Sequence, residues 1–316
     1  SYNDAAAEGI FYPWLDMYKG IFWANQVIDN APDAEMDVTL RERVLGEALF
    51  IRGVHYFNLA GIYGRGPIQT TSFAGGEAPV IGEQEDLYRQ AAGDFADAAG
   101  RLPAEYEDPA DLGRATRGAA KGMLAKAYMQ LHEWDSALTA LEAVINMTGL
   151  TGQQLYSLVP DYRDNFSAAN ENNHESVFEV QFGFGRLAGI DLGGQRQKFM
   201  GLQVDGVAWA DADPRQSLFD DFLLETTTSG DPDPRLKHTF FYYDPANPGE
   251  QFYGKTWDQW GLDPDAIYWK KFTNYDTQTE EDYNSGINIR VLRLADIYLM
   301  YAEVLNELGR TAEAYP

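Results

Sequence analysis

Apolar residues return at spacings of three and four along several stretches of the chain, and each such stretch predicts an amphipathic helix. Between Leu40 and Tyr63 the recurring positions are Val44, Ala48, Ile51, His55, Leu59 and Ile62, and Gly64 and Pro67 are the stop signals. Two helices, Ala119–Leu131 and Ser136–Met147, are predicted next. Thr116 is the natural N-cap of the first, and His132-Glu133-Trp134 form the turn between them. Another apolar helix runs from Leu292 to Gly309 through Ile297, Leu299, Met300, Ala302 and Leu305. Shorter patterns span Leu87 to Leu102, closed by Pro103, and Pro13 to Asn30.

Two of these helices share a pattern. Leu124 to Leu131, followed by Trp134 and Ala137, has the tetratricopeptide arrangement of small, aromatic and leucine positions. Met300 to Ala314 aligns with it, Ala302 on Ala125, Leu305 on Tyr128, Leu308 on Leu131 and Ala314 on Ala137. Leu40–Tyr63 is a looser copy. The copies are not in tandem, because a stretch of different texture, Gly149 to Ile289, lies between them. It is rich in Gly, Pro, Asp, Asn and aromatics, and it predicts one strand, Ser176–Phe182, where Phe178, Val180 and Phe182 alternate with Glu179 and Gln181. Loops of that length carry function or are disordered, and the aromatic content argues against disorder. The expected fold is mostly α: a tetratricopeptide-like helix-pair scaffold with an irregular, loop-rich ligand-binding region.

Composition narrows the function classes. The 316 residues suffice for one large domain or two ordinary ones, and 45% hydrophobic content supports a packed core. No apolar run approaches the ~20 residues of a membrane-spanning helix. With 24 Lys+Arg against 49 Asp+Glu, the net charge of −25 repels phosphate backbones and argues against a nucleic-acid reader. The absence of Cys excludes disulfides, thiolate zinc sites, iron–sulfur clusters and a cysteine nucleophile. The cations are 16 Arg and eight Lys; a hydrated acidic surface poor in lysine suits high external salt, and also an ordinary acidic secreted protein. Ser1-Tyr2-Asn3-Asp4 is neither a start, a signal peptide nor a lipidation sequence, and Leu308 to Pro316 break off where a new helix would begin. A piece of a longer chain is expected.

One catalytic motif matches letter for letter. Gly249-Glu250-Gln251-Phe252-Tyr253-Gly254-Lys255-Thr256 satisfies the P-loop pattern, yet a P-loop lies between a buried strand and a long helix. Here a turn, Asp244 to Pro248, precedes it, Trp257 to Gly261 allow only a turn or so of helix, and Phe252 and Tyr253 are bulky for a phosphate cradle. A surface turn is expected instead. No G-x-S-x-G or H-E-x-x-H occurs, and the four His are scattered, with His55 read as a core residue. Gly183-Phe184-Gly185 with Gly189 misses the dinucleotide spacing by one. Glu280-Glu281-Asp282 offers oxygens for calcium, but a solvated charge run is the plainer reading. No catalytic residue, metal site or cofactor is assigned.

Aromatics carry the binding signal. Eight of the 26 Tyr and Trp fall between Tyr242 and Tyr275, among turn residues and polar side chains. Flat amphipathic rings beside hydrogen-bonding groups suit sugars, which have apolar C–H faces and polar edges. The expected ligand contacts are Tyr253, Trp257, Trp260, Tyr268, Trp269 and Asn274, with Trp209 a further one; two to four rings should form an exposed platform while the rest pack loops onto the core.

Several stretches together resemble the SusD/RagB family, the surface glycan-binding lipoproteins of Bacteroidetes nutrient-uptake systems. They are Trp14, Tyr18, Ile21, Ala24 and Asn25; Gly46 to Arg52 with Tyr56, Leu59, Tyr63-Gly64 and Pro67; Asp94-Phe95, Ala98 and Leu102-Pro103. Gly113 to Thr116, Gly118 to Ala120, Leu124 to Lys126, Asn173 to Phe182 and Asp233 to Arg235 follow, then Arg293, Ala295-Asp296, Leu299-Met300, Ala302-Glu303 and Asn306. The resemblance implies one SusD-like domain over 1–316, with a helical scaffold at about 1–148 and 290–316 around a loop-rich region at about 149–289. It implies non-catalytic binding of oligo- or polysaccharide at the outer-membrane surface and delivery to a SusC-like TonB-dependent transporter. It further implies a lipid anchor on a cysteine that this chain lacks. Glu47 and Arg52 read as helix-packing partners. A tetratricopeptide scaffold for protein partners and a glycoside hydrolase are the alternatives.

Overall fold

The computed structural model describes residues 8–72, 79–184, 186–187, 190–204 and 206–315. The opening residues 1–7 and the Gly185 and Gly189 of the near-dinucleotide motif lie outside them. The chain divides into two compact units, Ser1–Leu158 with Leu292–Pro316, and Val159–Val291.

The first unit is helical. Its elements are α1 (Glu8–Asn30), α2 (Val38–Tyr63), α3 (Gln84–Arg101), α4 (Arg117–Gln130), α5 (Trp134–Ile145) and a closing helix, Leu294–Glu307. Each of α2 to α5 packs on its predecessor, and the closing helix packs on α5. A short antiparallel pair, β1 (Arg65–Ile68) and β2 (Val80–Glu83), joins α2 to α3. Local chemistry sets the boundaries. Asp37 caps α2 by accepting from the Leu40 amide, and Gly64 ends it at φ 75°. Thr116 caps α4 as its sequence predicts, accepting from the Ala119 amide. Helix α5 starts at Trp134 rather than Ser136.

Small residues serve the close packing expected of paired helices. A methyl at Gly53 would lie 2.8 Å from the Phe95 ring, and one at Gly122 would lie 2.2 Å from Leu292. The predicted stripe on α2 was only half right: Ala48 and Leu59 are buried, while Ile51 and Ile62 are exposed. The residues that pack are Leu45, Leu49, Arg52 and Tyr56. Helix α2 is flanked by both α1 and α3, so it buries a broad arc and no single apolar face stands out in its sequence.

A buried ion pair ties three elements of this unit. Arg52 Nη2 and Nε donate to the Asp94 carboxylate at 2.6 and 2.9 Å, and Nη1 donates to Asn25 Oδ1 at 2.8 Å and to the Thr70 carbonyl at 3.0 Å. Burial pushes the Asp94 carboxyl up despite this partner. Glu47 is held by Arg114 at 3.2 Å. The Arg52–Asp94 pair links α2 to α3, whereas Glu47 ties α2 to the loop that precedes α4. Breaking a buried pair such as Arg52–Asp94 costs about 3–5 kcal/mol, because the partner is left charged in the interior.

The second unit has short elements. Strand β3 (Ser176–Val180) pairs with the strand that opens at Ile289; β4 (Arg186–Leu187) pairs with β5 (Ile190–Asp191). The helices are α6 (Arg196–Met200), α7 (Gln216–Leu224), α8 (Leu236–Thr239) and α9 (Trp257–Trp260). The remaining pairs are β6 (Phe240–Phe241) with β9 (Tyr268–Trp269), and β7 (Gln251–Phe252) with β8 (Lys255–Thr256). Its core gathers Leu202, Val207, Phe241, Phe252, Tyr253 and Trp257. Strand β3 reverses the predicted orientation: Val177 and Glu179 are buried and Val180 is exposed. The reason is ionic. Glu179 lies 3.2 Å from Arg290 Nε and accepts from Asn288 Nδ2 at 2.9 Å, which satisfies the carboxylate inside.

Candidate functional site

The P-loop pattern folds as a β-hairpin. Strands β7 and β8 are joined by Tyr253 and Gly254, at φ 53° and 79°, the paired positive values of a type I′ turn. Tyr253 bears the strain of a non-glycine residue there, and burial of its ring offsets it. Helix α9 spans four residues, and Lys255 Nζ rests 4.1 Å over the Trp260 ring. The long helix that presents a phosphate cradle does not follow.

Most of the predicted contact residues are packing residues. Trp257 is 3% exposed, with its ring edge-on to Phe252 and its Nε1 donating to the Asp263 carbonyl at 3.3 Å. Trp260 is half-buried and donates to the Phe252 carbonyl at 2.8 Å. Tyr268 and Trp269 are half-buried in β9, opposite Phe241 and Phe240, and Trp269 stacks on Phe240 at 5.5 Å. Tyr253 and Asn274 are buried. Trp257, Tyr253 and Asn274 therefore present no face to a ligand, which corrects the expectation for these three. The cause is that a small unit built from loops makes its core from the residues it has, and here those are aromatics.

Trp209 is different. It is 45% exposed and stands between two other rings: Phe199 at 5.2 Å and Tyr283 at 5.3 Å, both edge-to-face. Tyr283 is itself exposed. The three form a ridge drawn from three segments. Trp209 and Asp211 donate their amides to the carbonyls of Lys198 and Phe199 at 2.9 and 2.7 Å, which fixes this irregular segment along α6. Lys198 Nζ closes the same junction on the Val207 carbonyl at 3.1 Å and lies 5.9 Å from the Tyr283 ring.

A buried carboxylate positions the third ring. Glu281 is 1% exposed; it accepts from Tyr253 Oη at 2.7 Å, from the Asn274 amide at 2.6 Å and from Asn274 Nδ2 at 2.8 Å. Its own amide donates to Val207 at 3.1 Å, two residues from Trp209, and Ser285 exchanges backbone hydrogen bonds with Gly194 at 2.8 and 3.1 Å. Burial raises the Glu281 carboxyl, while the bonds from Tyr253 and Asn274 draw it back; burial, then Glu281, pushes the Tyr253 hydroxyl well up. Glu280 and Asp282 on either side are exposed, so the charge run is solvated except at its centre. Asn274 is thus a support of the ridge and not a contact.

Sequence reasoning missed Phe199 and Tyr283. They lie ten and 74 residues from Trp209, in segments with no aromatic cluster of their own, and no local pattern joins them. Chemically, the ridge offers ring faces and edges, with an indole on its middle ring and a phenol at one end. That suits a ligand with alternating apolar and polar surface.

Two family models match the chain: "Starch-binding associating with outer membrane" over residues 2–129, and the SusD family over residues 169–316. A SusD-like protein of Formosa agariphila is 26% identical over 96% of this chain and 59% of its own length. Another, of Bacteroides ovatus, is 25% identical over 95% of this chain and 56% of its own. The chain thus spans under two thirds of these relatives. Among solved structures, a SusD superfamily protein from Bacteroides vulgatus superimposes with a TM-score of 0.82 at 26% identity, covering 99% of this chain and 65% of that one. A laminarin-binding SusD-like protein gives 0.75 at 26% identity, covering 96% and 69%.

Proposed function

The chain belongs to the SusD/RagB family, and from that membership we propose that it binds oligo- or polysaccharide on the Phe199–Trp209–Tyr283 ridge without cleaving it. The observation that carries this reading is the ridge itself, in which Trp209 and Tyr283 are both exposed and are held in place by Glu281 and α6. Exposed rings of this size lose apolar surface from water when a sugar lies across them. If a pyranose covers about 40–80 Å² of the indole, the gain is about 1–2 kcal/mol at about 25 cal/mol per Å².

Binding without hydrolysis agrees with the family, whose members are carbohydrate-binding proteins rather than enzymes. The family model's description associates it with the outer membrane. We place this chain at that surface, held by a lipid anchor in the full-length protein, and passing its glycan to a TonB-dependent transporter. An open ridge fits that role, because a carrier that hands over its ligand needs modest affinity and a site accessible to long chains. Kd values in the micromolar-to-millimolar range, about −4 to −8 kcal/mol, are expected.

The test starts from a glycan array, followed by calorimetric titration of the best ligand. Trp209→Ala should weaken binding roughly five- to thirty-fold, and no reducing ends should appear on prolonged incubation. Binding unchanged in Trp209→Ala and Tyr283→Ala would remove the ridge from the reading.

A further inference from the structure

The second unit holds a cleft of about 950 Å³ whose lining shares no residue with the ridge. That volume lies at the upper end for small-molecule sites. Phe219 and Leu236 supply apolar lining, and the half-buried rings of Tyr242, Tyr243 and Tyr275 add to it, with Tyr242 edge-on to Phe219 at 5.2 Å. Asp244, Asn247 and Glu250 reach it from one turn.

This turn is rigid. The Ala246 amide donates to Asp244 Oδ1 at 2.9 Å, Asn247 to the Asp244 carbonyl at 3.0 Å, and Glu250 to the Asn247 carbonyl at 3.1 Å. The Glu250 carboxylate is fixed by Lys270, whose Nζ donates to Oε1 at 2.9 Å. Lys270 is 3% exposed and sits 4.7 and 4.5 Å over the rings of Phe252 and Tyr275, so the acceptor it holds cannot swing away. The Asp244 and Glu250 carboxylates are thus held before a ligand arrives and lose little entropy on binding.

We propose that this cleft is a second carbohydrate site, which takes one or two units of a neutral sugar independently of the ridge. The class follows from the lining. Half-buried tyrosine rings match C–H faces, and carboxylate, amide and phenol groups match hydroxyls. Charge selects against acidic sugars: the lining carries Asp233, Asp244 and Glu250 against Lys237 and Lys270, Asp233 is paired with Arg235 at 2.6 Å and Lys270 with Glu250 at 2.9 Å, and burial, with Lys237 next, lowers the affinity of His238 for a proton. No cationic surplus remains to meet a carboxylate or sulfate in a chain of net charge −25. The choice of ligand class rests on the glycan reading; the location does not. Two sites on one chain would raise avidity for a polysaccharide that reaches both by roughly 10²-fold or more.

The experiment titrates the wild type, a ridge variant (Trp209→Ala with Tyr283→Ala) and a cleft variant (Tyr243→Ala with Asn247→Ala). The probes are neutral tetrasaccharides of glucose, mannose, galactose and xylose, with a galacturonate tetrasaccharide as control. Calorimetry gives stoichiometry, saturation-transfer NMR gives contact, and thermal melts establish that each variant is folded. The ridge variant should keep one site for a neutral probe, and combining both sets of substitutions should raise its Kd at least tenfold. The cleft proposal is overturned if the ridge variant binds no neutral probe, if its residual binding ignores the cleft substitutions, or if it favours the galacturonate. Loss of all binding in the cleft variant, with none lost in the ridge variant, would instead overturn the ridge reading and leave the cleft standing.

Discussion

Replacing Trp257 and Trp209 separately by alanine should give opposite phenotypes, and the structure supplies the magnitudes. Trp257 is 3% exposed and packs within the aromatic core of the second unit. Removing a side chain that buries about 200 Å² forfeits about 5 kcal/mol at about 25 cal/mol per Å². Partial collapse around the cavity returns some of this, and measured core Trp→Ala losses run about 3–5 kcal/mol. The Asp263 carbonyl also loses its indole donor. At about 2 °C per kcal/mol, the expected fall in melting temperature is about 6–10 °C. Trp209, at 45% exposure, buries roughly half that area and should cost no more than about 2.5 kcal/mol. Its loss should instead appear in glycan affinity. Differential scanning calorimetry reads the first effect, and isothermal titration with the array-selected glycan reads the second. If Trp257→Ala melts like the wild type and weakens binding while Trp209→Ala does neither, the buried core is misplaced and the aromatic hairpin is the platform after all.

Three further outcomes are expected. Melting temperature should rise with sodium chloride between about 0.01 and 0.15 M, as the screening length falls from about 30 to about 8 Å and self-repulsion at −25 weakens; a flat curve would mean the carboxylates are locally neutralised. Gly193→Ala should weaken glycan binding with the helical unit unaffected, because its methyl would lie 2.1 Å from the backbone of Asn284 and displace the loop that carries Tyr283; wild-type affinity would show that loop position is irrelevant. Burial lowers the proton affinity of His55, so below the unfolded value of about 6.5 the unfolded chain takes up a proton that the fold resists, and stability falls as pH falls through that window. Urea midpoints at about pH 7.5 and 5.5 should differ less in His55→Phe than in the wild type, and an equal difference would assign the loss to other groups.

Helices were the part of this protein that its sequence determined. Periodicity, an N-cap at Thr116, a stop at Gly64 and small residues at Gly53 and Gly122 act within a few residues, so they are readable along a line. The same holds for the P-loop pattern, whose flanking turn and missing helix were visible before the hairpin was. Aromatic residues also marked out the loop-rich part of the chain, where the rings cluster. Which of them would be exposed was settled only by tertiary structure. Tyr253 and Trp257 look like a platform in sequence because they are rich in ring surface, and they are buried because a loop-built unit has little else for its core. Glu179 and Glu281 look like surface acids, and they are interior because Arg290 and Asn288 converge on the first from a distant segment, and Tyr253 and the nearer Asn274 on the second. The ridge joins residues 199, 209 and 283, and the cleft joins α7, a proline-rich turn and Lys270. Such sites are products of chain return, and a carboxylate or a ring acquires its role from what folds against it.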